Sequence, residues 1–135
     1  MRILALDVGT RRIGVAISDE SALIAQPVDY IDVKSTNPVN EIARLCRKNG
    51  VNRVVVGLPL SMSGGDRGTS SRRAKALGKV LEEQVGLEVV YFDERFTTTQ
   101  ADRALIEGNV SRQKRKEVVD KVAAALILQA YLDSL

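Results

Sequence analysis

Histidine and tryptophan are absent from these 135 residues, and there is one cysteine, Cys46. The lack of histidine excludes Ser-His-Asp and Cys-His nucleophilic catalysis and zinc sites built on imidazole. Acid–base or metal chemistry must then rest on carboxylates, lysines or tyrosines. A lone cysteine forms no internal disulfide, which makes a reducing, cytoplasmic setting the expectation. Aromatic residues number only five, Tyr30, Tyr91, Phe92, Phe96 and Tyr131. Several read as core, so no platform for stacking single-stranded bases is visible. No apolar run approaches the ~20 residues that span a bilayer, and no membrane partner is expected. The N-terminus passes from one arginine straight into a strand pattern, which does not read as a signal peptide.

The hydrophobic fraction is 44%, ordinary for a globular chain with one core. The length fits a single domain over residues 1–135. Formal net charge is only +3, but the basic residues are concentrated in two places. "GGDRGTSSRRAKALGK" (64–79) sets five basic residues against Asp66, and "NVSRQKRKEVVDK" (109–121) sets five against two acids. Two such concentrations suggest a polyanionic partner, although solvated helix starts would look the same.

Along the chain, residues 2–8 and 13–18 read as strands joined by the turn "GTRR", where Gly9 is free to take a positive φ. Residues 24–33 read as a third strand, which Pro27 demotes to an edge. "TNPVNEIARLCRKNG" has helical spacing, with Ile42, Leu45 and Cys46 on one face and Gly50 as the stop. "VNRVVVGLP" reads as a strand buried on both faces. A Gly/Ser loop follows, then a helix over 71–85 and the strand "LEVVYF". "TTTQADRALIEGN" predicts a helix from a threonine cap, and residues 116–133 predict the last one. The order βββαβαβαα implies an α/β fold, a mixed sheet with three antiparallel strands, then parallel ones, flanked by helices.

Three placements of carboxylates stand out. Asp7 lies at the end of the first apolar strand, and Asp93 and Glu94 close a later strand just before a helix. Asp120 shares a helical face with Ala123, Ala124, Ile127 and Tyr131. Each has a plain explanation. Asp7 can bond the turn, and the other acids suit the positive N-terminal ends of helices. Taken together they form an oxygen-rich set converging from a first strand, a later strand end and a last helix. Hard cations such as Mg²⁺ or Mn²⁺ want such ligands, and a pair of them can act on a phosphodiester.

The blocks "LALDVGTRRIGVAISD", "VVVGLPLSMSGGDRG", "DERFTTTQA" and "DKVAAALILQAYLD" resemble, in order and at family spacing, the four motifs of the YqgF family. The resemblance implies a ribonuclease H-like fold with a five-stranded sheet. It implies a two-metal nuclease of precursor 16S rRNA or a Holliday junction resolvase, working on precursor rRNA or branched DNA as monomer or homodimer. It places the catalytic and metal-binding acids on Asp7, Glu94 and Asp120, with Asp93 as the runner-up. Phe96 stands where the family usually has leucine, a difference expected to affect packing only.

The basic residues then take roles toward nucleic acid. Arg11 and Arg12 lie in the first turn, Arg67 in the glycine-rich loop with Gly64, Gly65 and Gly68, and Arg95 beside Glu94. Arg112, Lys114, Arg115 and Lys116 lead into the helix of Asp120. Two other classes compete. "LDVGTRRIGVAI" also resembles the first phosphate loop of actin, Hsp70 and sugar kinases, though one short domain supplies only half of that cleft. A noncatalytic RNA-binding assembly factor or transcription factor could use the same basic face.

Overall fold

The computed structural model describes residues 1–58, 69–93 and 112–135, with backbone alone for Thr69 and for residues 112–121. Five strands form one sheet: β1 (Arg2–Val8), β2 (Arg12–Ser18), β3 (Ala25–Asp32), β4 (Val51–Leu58) and β5 (Glu88–Asp93). Their spatial order is β3-β2-β1-β4-β5. β1–β2 and β2–β3 pair antiparallel, while β1–β4 and β4–β5 pair parallel. The mixed sheet expected from the order of elements is therefore present.

The central strands are near-continuous apolar runs because helices cover both of their faces. On one face Leu4, Leu6, Val54 and Val56 pack with Ile42 and Cys46 of α1 (Pro38–Asn49) and Ala74 of α2 (Thr69–Val80). On the other face Ile3, Ala5, Ala16 and Val55 pack with Ala124, Ile127, Leu128 and Tyr131 of α3 (Arg112–Asp133). Each fully buried Leu, Ile or Val contributes about 1.5–3 kcal/mol. β3 is the outer strand on its side, and Pro27 sits there without an N–H to offer.

The helix α1 begins and ends on the residues that chemistry favours. The Asn37 side chain accepts a hydrogen bond from the Asn40 N–H, Pro38 fills the first helical position, and Gly50 closes the helix at φ 68°. α2 differs from the expectation of one helix over 71–85. It ends at Val80 and widens into a π-helical turn, Leu81–Val85, closed by Gly86 at φ 79°. No residue type in "LEEQV" signals that change of pitch. The last helix begins at Arg112, four residues before its expected start. The helix expected over "TTTQADRALIEGN" lies outside the described residues. Among the described residues no helix is long and apolar enough to cross a membrane.

Candidate nuclease site

Asp7 is half-buried at the carboxyl end of β1. Side chains alternate along a strand, so Asp7 shares the α3 face with Ile3 and Ala5. Its cross-strand partner on β2 is Gly14, which presents no side chain. Beyond β1 the hairpin turns through a hydrogen bond from the Gly9 N–H to the Arg12 carbonyl, 3.0 Å. Gly9 does not use its freedom to take a positive φ; among the described glycines only Gly50 and Gly86 do. It is needed for a different reason, because a Cβ there would lie 2.6 Å from the Arg12 carbonyl oxygen.

This tight turn folds Arg11 and Arg12 back toward Asp7. Together with Gly9, Thr10, Gly14 and Tyr30 they line a pocket of about 200 Å³. The Arg12 guanidinium carbon sits over the Tyr30 ring, 5.1 Å from its centroid. The pocket thus joins a carboxylate, two exposed guanidinium groups and an aromatic wall. Such a lining can hold an anion against the arginines while the carboxylate faces a cation or a water.

The structure separates Asp93 from this pocket. On β5, Val89 packs with the α1/α2 core, and the Tyr91 hydroxyl donates to the Lys75 carbonyl of α2 at 3.3 Å. Asp93 follows in the same alternation, paired with Leu58, which packs on that core too. Val90 and Phe92 occupy the α3 face. Asp93 and Asp7 therefore lie on opposite sides of the sheet. Glu94, Arg67 and Arg95 lie outside the described residues. Asp120, Arg112, Lys114, Arg115 and Lys116 are placed as backbone of α3. Among the described residues no group of three potential ligands clusters as a metal site.

Neither Tyr30 nor Gly14 is among the site residues expected from the sequence, where several of the five aromatics read as core. Tyr91 is 36% exposed and Tyr30 half-buried against the pocket. A signal for Gly14 was available. A tight turn at Gly9–Arg12 pairs Val8 with Ile13, and so Asp7 with Gly14.

A five-stranded sheet of this order, flanked by helices on both faces, is a ribonuclease H-like fold, the fold also of junction resolvases. Two solved structures share the fold at 16% identity. RuvC of Thermus thermophilus in complex with a Holliday junction substrate aligns with TM-score 0.56 over 99% of this chain and 96% of that one. The fowlpox virus Holliday junction resolvase aligns with TM-score 0.57 over 100% of both chains. A family model described as "RuvX: Holliday junction resolvase" matches residues 1–134. The chain belongs to that family, also called YqgF. It is 50% identical over 136 residues to a Caldanaerobacter subterraneus protein named "Putative pre-16S rRNA nuclease", covering 99% of this chain and 97% of that one. It is 48% identical over 139 residues to a Listeria innocua protein of the same name, covering 99% of each.

Proposed function

We propose that this chain, acting as a single domain over residues 1–135, is a divalent-metal-dependent nuclease that cuts phosphodiester bonds of precursor 16S rRNA. The observation that carries the reading is the half-buried Asp7 at a strand end, facing a pocket with Arg11 and Arg12. The name shared by the relatives at about half identity supports the substrate.

Asp7, Glu94 and Asp120 are the acids that would hold Mg²⁺ or Mn²⁺, and their donor chemistry fits. Carboxylate oxygens are the ligands that hard cations take. When bound, such a metal pair supplies positive charge beside the scissile phosphate and acidifies a water. The alternation of β5 favours Glu94 over Asp93, since Asp93 shares the face of Val89 and Tyr91. The helical spacing favours Asp120. It stands four residues before Ala124 and seven before Ile127, which pack in one cluster with Ile3 and Ala5 of the strand that carries Asp7.

The arginines of the pocket orient the phosphodiester and offset its charge as the acids position the reacting water. Arg112, Lys114, Arg115 and Lys116 would dock flanking phosphates, with Arg67 and Arg95 as further contacts. Working on precursor rRNA puts the activity in the cytoplasm.

The family description favours a second reading, resolution of four-way DNA junctions. That reaction cuts two strands and so calls for a homodimer, whereas rRNA processing is compatible with a monomer. The deciding experiment is Mn²⁺-dependent cleavage of matched substrates: precursor 16S rRNA, single-stranded RNA and a four-way DNA junction.

Asp7→Asn, Glu94→Gln and Asp120→Asn should each fold and each lose most cleavage, at least a hundredfold. Each should also shrink the rise in melting temperature on adding Mn²⁺. Asp93→Asn should keep most activity. Full cleavage by all three variants would refute the catalytic reading and leave a noncatalytic RNA-binding assembly factor.

A further inference from the structure

The bulge in β3 sets the geometry beside Asp7. Ile13 pairs with Ile31 and Val15 with Val28. Gly14 alone therefore opposes both Asp29 and Tyr30, which is a β-bulge on the outer strand. Ile31 points into the α1/α2 core. Tyr30, next to it, turns to the other face, where it lines the pocket with Gly14 and Asp7. Across three strands the row reads carboxylate, no side chain, phenol ring. The missing side chain at Gly14 leaves the space between them, and Arg12 reaches over it to stack on Tyr30.

We propose that Tyr30 is a positioning residue for nucleic acid: it holds the Arg12 guanidinium at the mouth of the Asp7 pocket, poised against a backbone phosphate next to the bond to be cut. The proposal rests on the nuclease reading for its ligand, and its chemistry is the phosphodiester backbone that RNA and DNA share. An exposed arginine on a turn samples many rotamers, and ordering it on binding costs affinity. Stacking on an aromatic face orders it beforehand through the attraction of a cation to the ring quadrupole. The guanidinium is flat, so its edges keep their N–H donors free for phosphate while one face rests on the ring. No aromatic pattern in the sequence announces this arrangement, because it depends on which β2 residues Tyr30 and Ile31 lie beside.

The test measures binding of fluorescein-labelled single-stranded RNA and of a labelled four-way DNA junction by anisotropy, in Mg²⁺-free buffer across a salt series. Arg12→Ala should weaken binding and lower the salt slope by about one. Tyr30→Leu leaves the charge in place, yet should weaken binding about two- to fivefold. Tyr30→Phe keeps the ring and should bind within about twofold of the parent. Arg12→Lys keeps the charge and loses the flat stack, so it should show the same loss of about two- to fivefold, which tests the stack independently of how Tyr30→Leu folds. The double variant Arg12→Ala/Tyr30→Leu should be no weaker than Arg12→Ala alone, because both changes remove the same contact.

A parent protein that binds neither probe refutes the nuclease reading itself, and the proposal with it. A parent that binds, with Tyr30→Leu and Arg12→Lys equal to it, overturns the proposal alone. Strictly additive losses also overturn it, since Tyr30 would then act without Arg12. The probe that shows the larger Tyr30 effect identifies the polymer for which the pocket is shaped.

Discussion

Gly9 shows how one missing atom builds a site. The turn carries Arg11 and Arg12 back toward Asp7 only because the Gly9 Cα approaches the Arg12 carbonyl so closely. Gly9→Ala forces a methyl to within 2.6 Å of that oxygen, and the turn must open. We expect a loss of about 1–3 kcal/mol, read as a lower urea midpoint at unchanged slope.

Cys46 shows the opposite case, a reactive group made inert. It is buried in α1, and burial pushes its thiol up from 9.0 to about 11. Between these values the folded chain holds a proton that the unfolded chain releases. The thiol's contribution to stability is therefore complete below pH 9 and is lost as pH rises through about 11. At pH 8 the native protein should resist an aromatic disulfide reagent, while in urea it should release one equivalent of thiolate product. Fast labelling of the native protein would contradict this burial.

Among the elements, α3 is the one that ties the sheet together over the Asp7 face. Its Gln129 amide closes the β2–β3 connection, accepting from the Ala25 N–H at 3.0 Å and donating to the Leu23 carbonyl at 2.9 Å. Phe92 of β5 meets Tyr131 edge to face, with ring centroids 6.1 Å apart. Arg53 at the start of β4 donates to the Tyr131 hydroxyl at 3.3 Å and pairs with Glu88 of β5. One helix thus touches strands at both ends of the sheet order, and a shift in its seat would move Asp120 relative to Asp7.

Gln129→Met keeps the volume and leaves the Ala25 N–H and the Leu23 carbonyl without the amide. The expected cost is about 1–3 kcal/mol, measured by chemical denaturation. Hydrogen exchange should quicken first at Ala25, since its N–H bonds directly to the lost oxygen.

For the whole molecule, the net charge of +3 understates the electrostatics. Basic residues at both the first turn and the start of α3 would give a polyanion two places to dock. Reversing the charge at Arg112, Lys114 and Arg115 together should weaken binding of single-stranded RNA. It should also flatten the dependence on salt by roughly two to three counterions. Unchanged affinity and slope would shift the docking surface to the run at 64–79.

Much of this protein was legible in its residues alone. The five strands, the helix α1, the edge strand with Pro27 and the Gly50 stop follow from short-range rules, and the order of elements implies the mixed sheet. Period, propensity and glycine or proline chemistry act within a few neighbours. Asp7 stood out for the same reason, as a carboxylate at the end of an apolar run.

Tertiary structure decided what those rules cannot reach. Sequence alone leaves the side of Asp93 open; the register of β5 on β4 and the packing of Tyr91 on α2 assign it. Tyr30 walls the pocket because Ile31 pairs with Ile13 and faces the α1/α2 core, which sets Tyr30 beside Gly14 on the other face. The need for Gly9 came from a carbonyl three residues away rather than from its own φ. In each case the deciding quantity is the position of one segment relative to another, which pairing and packing set and local sequence does not encode.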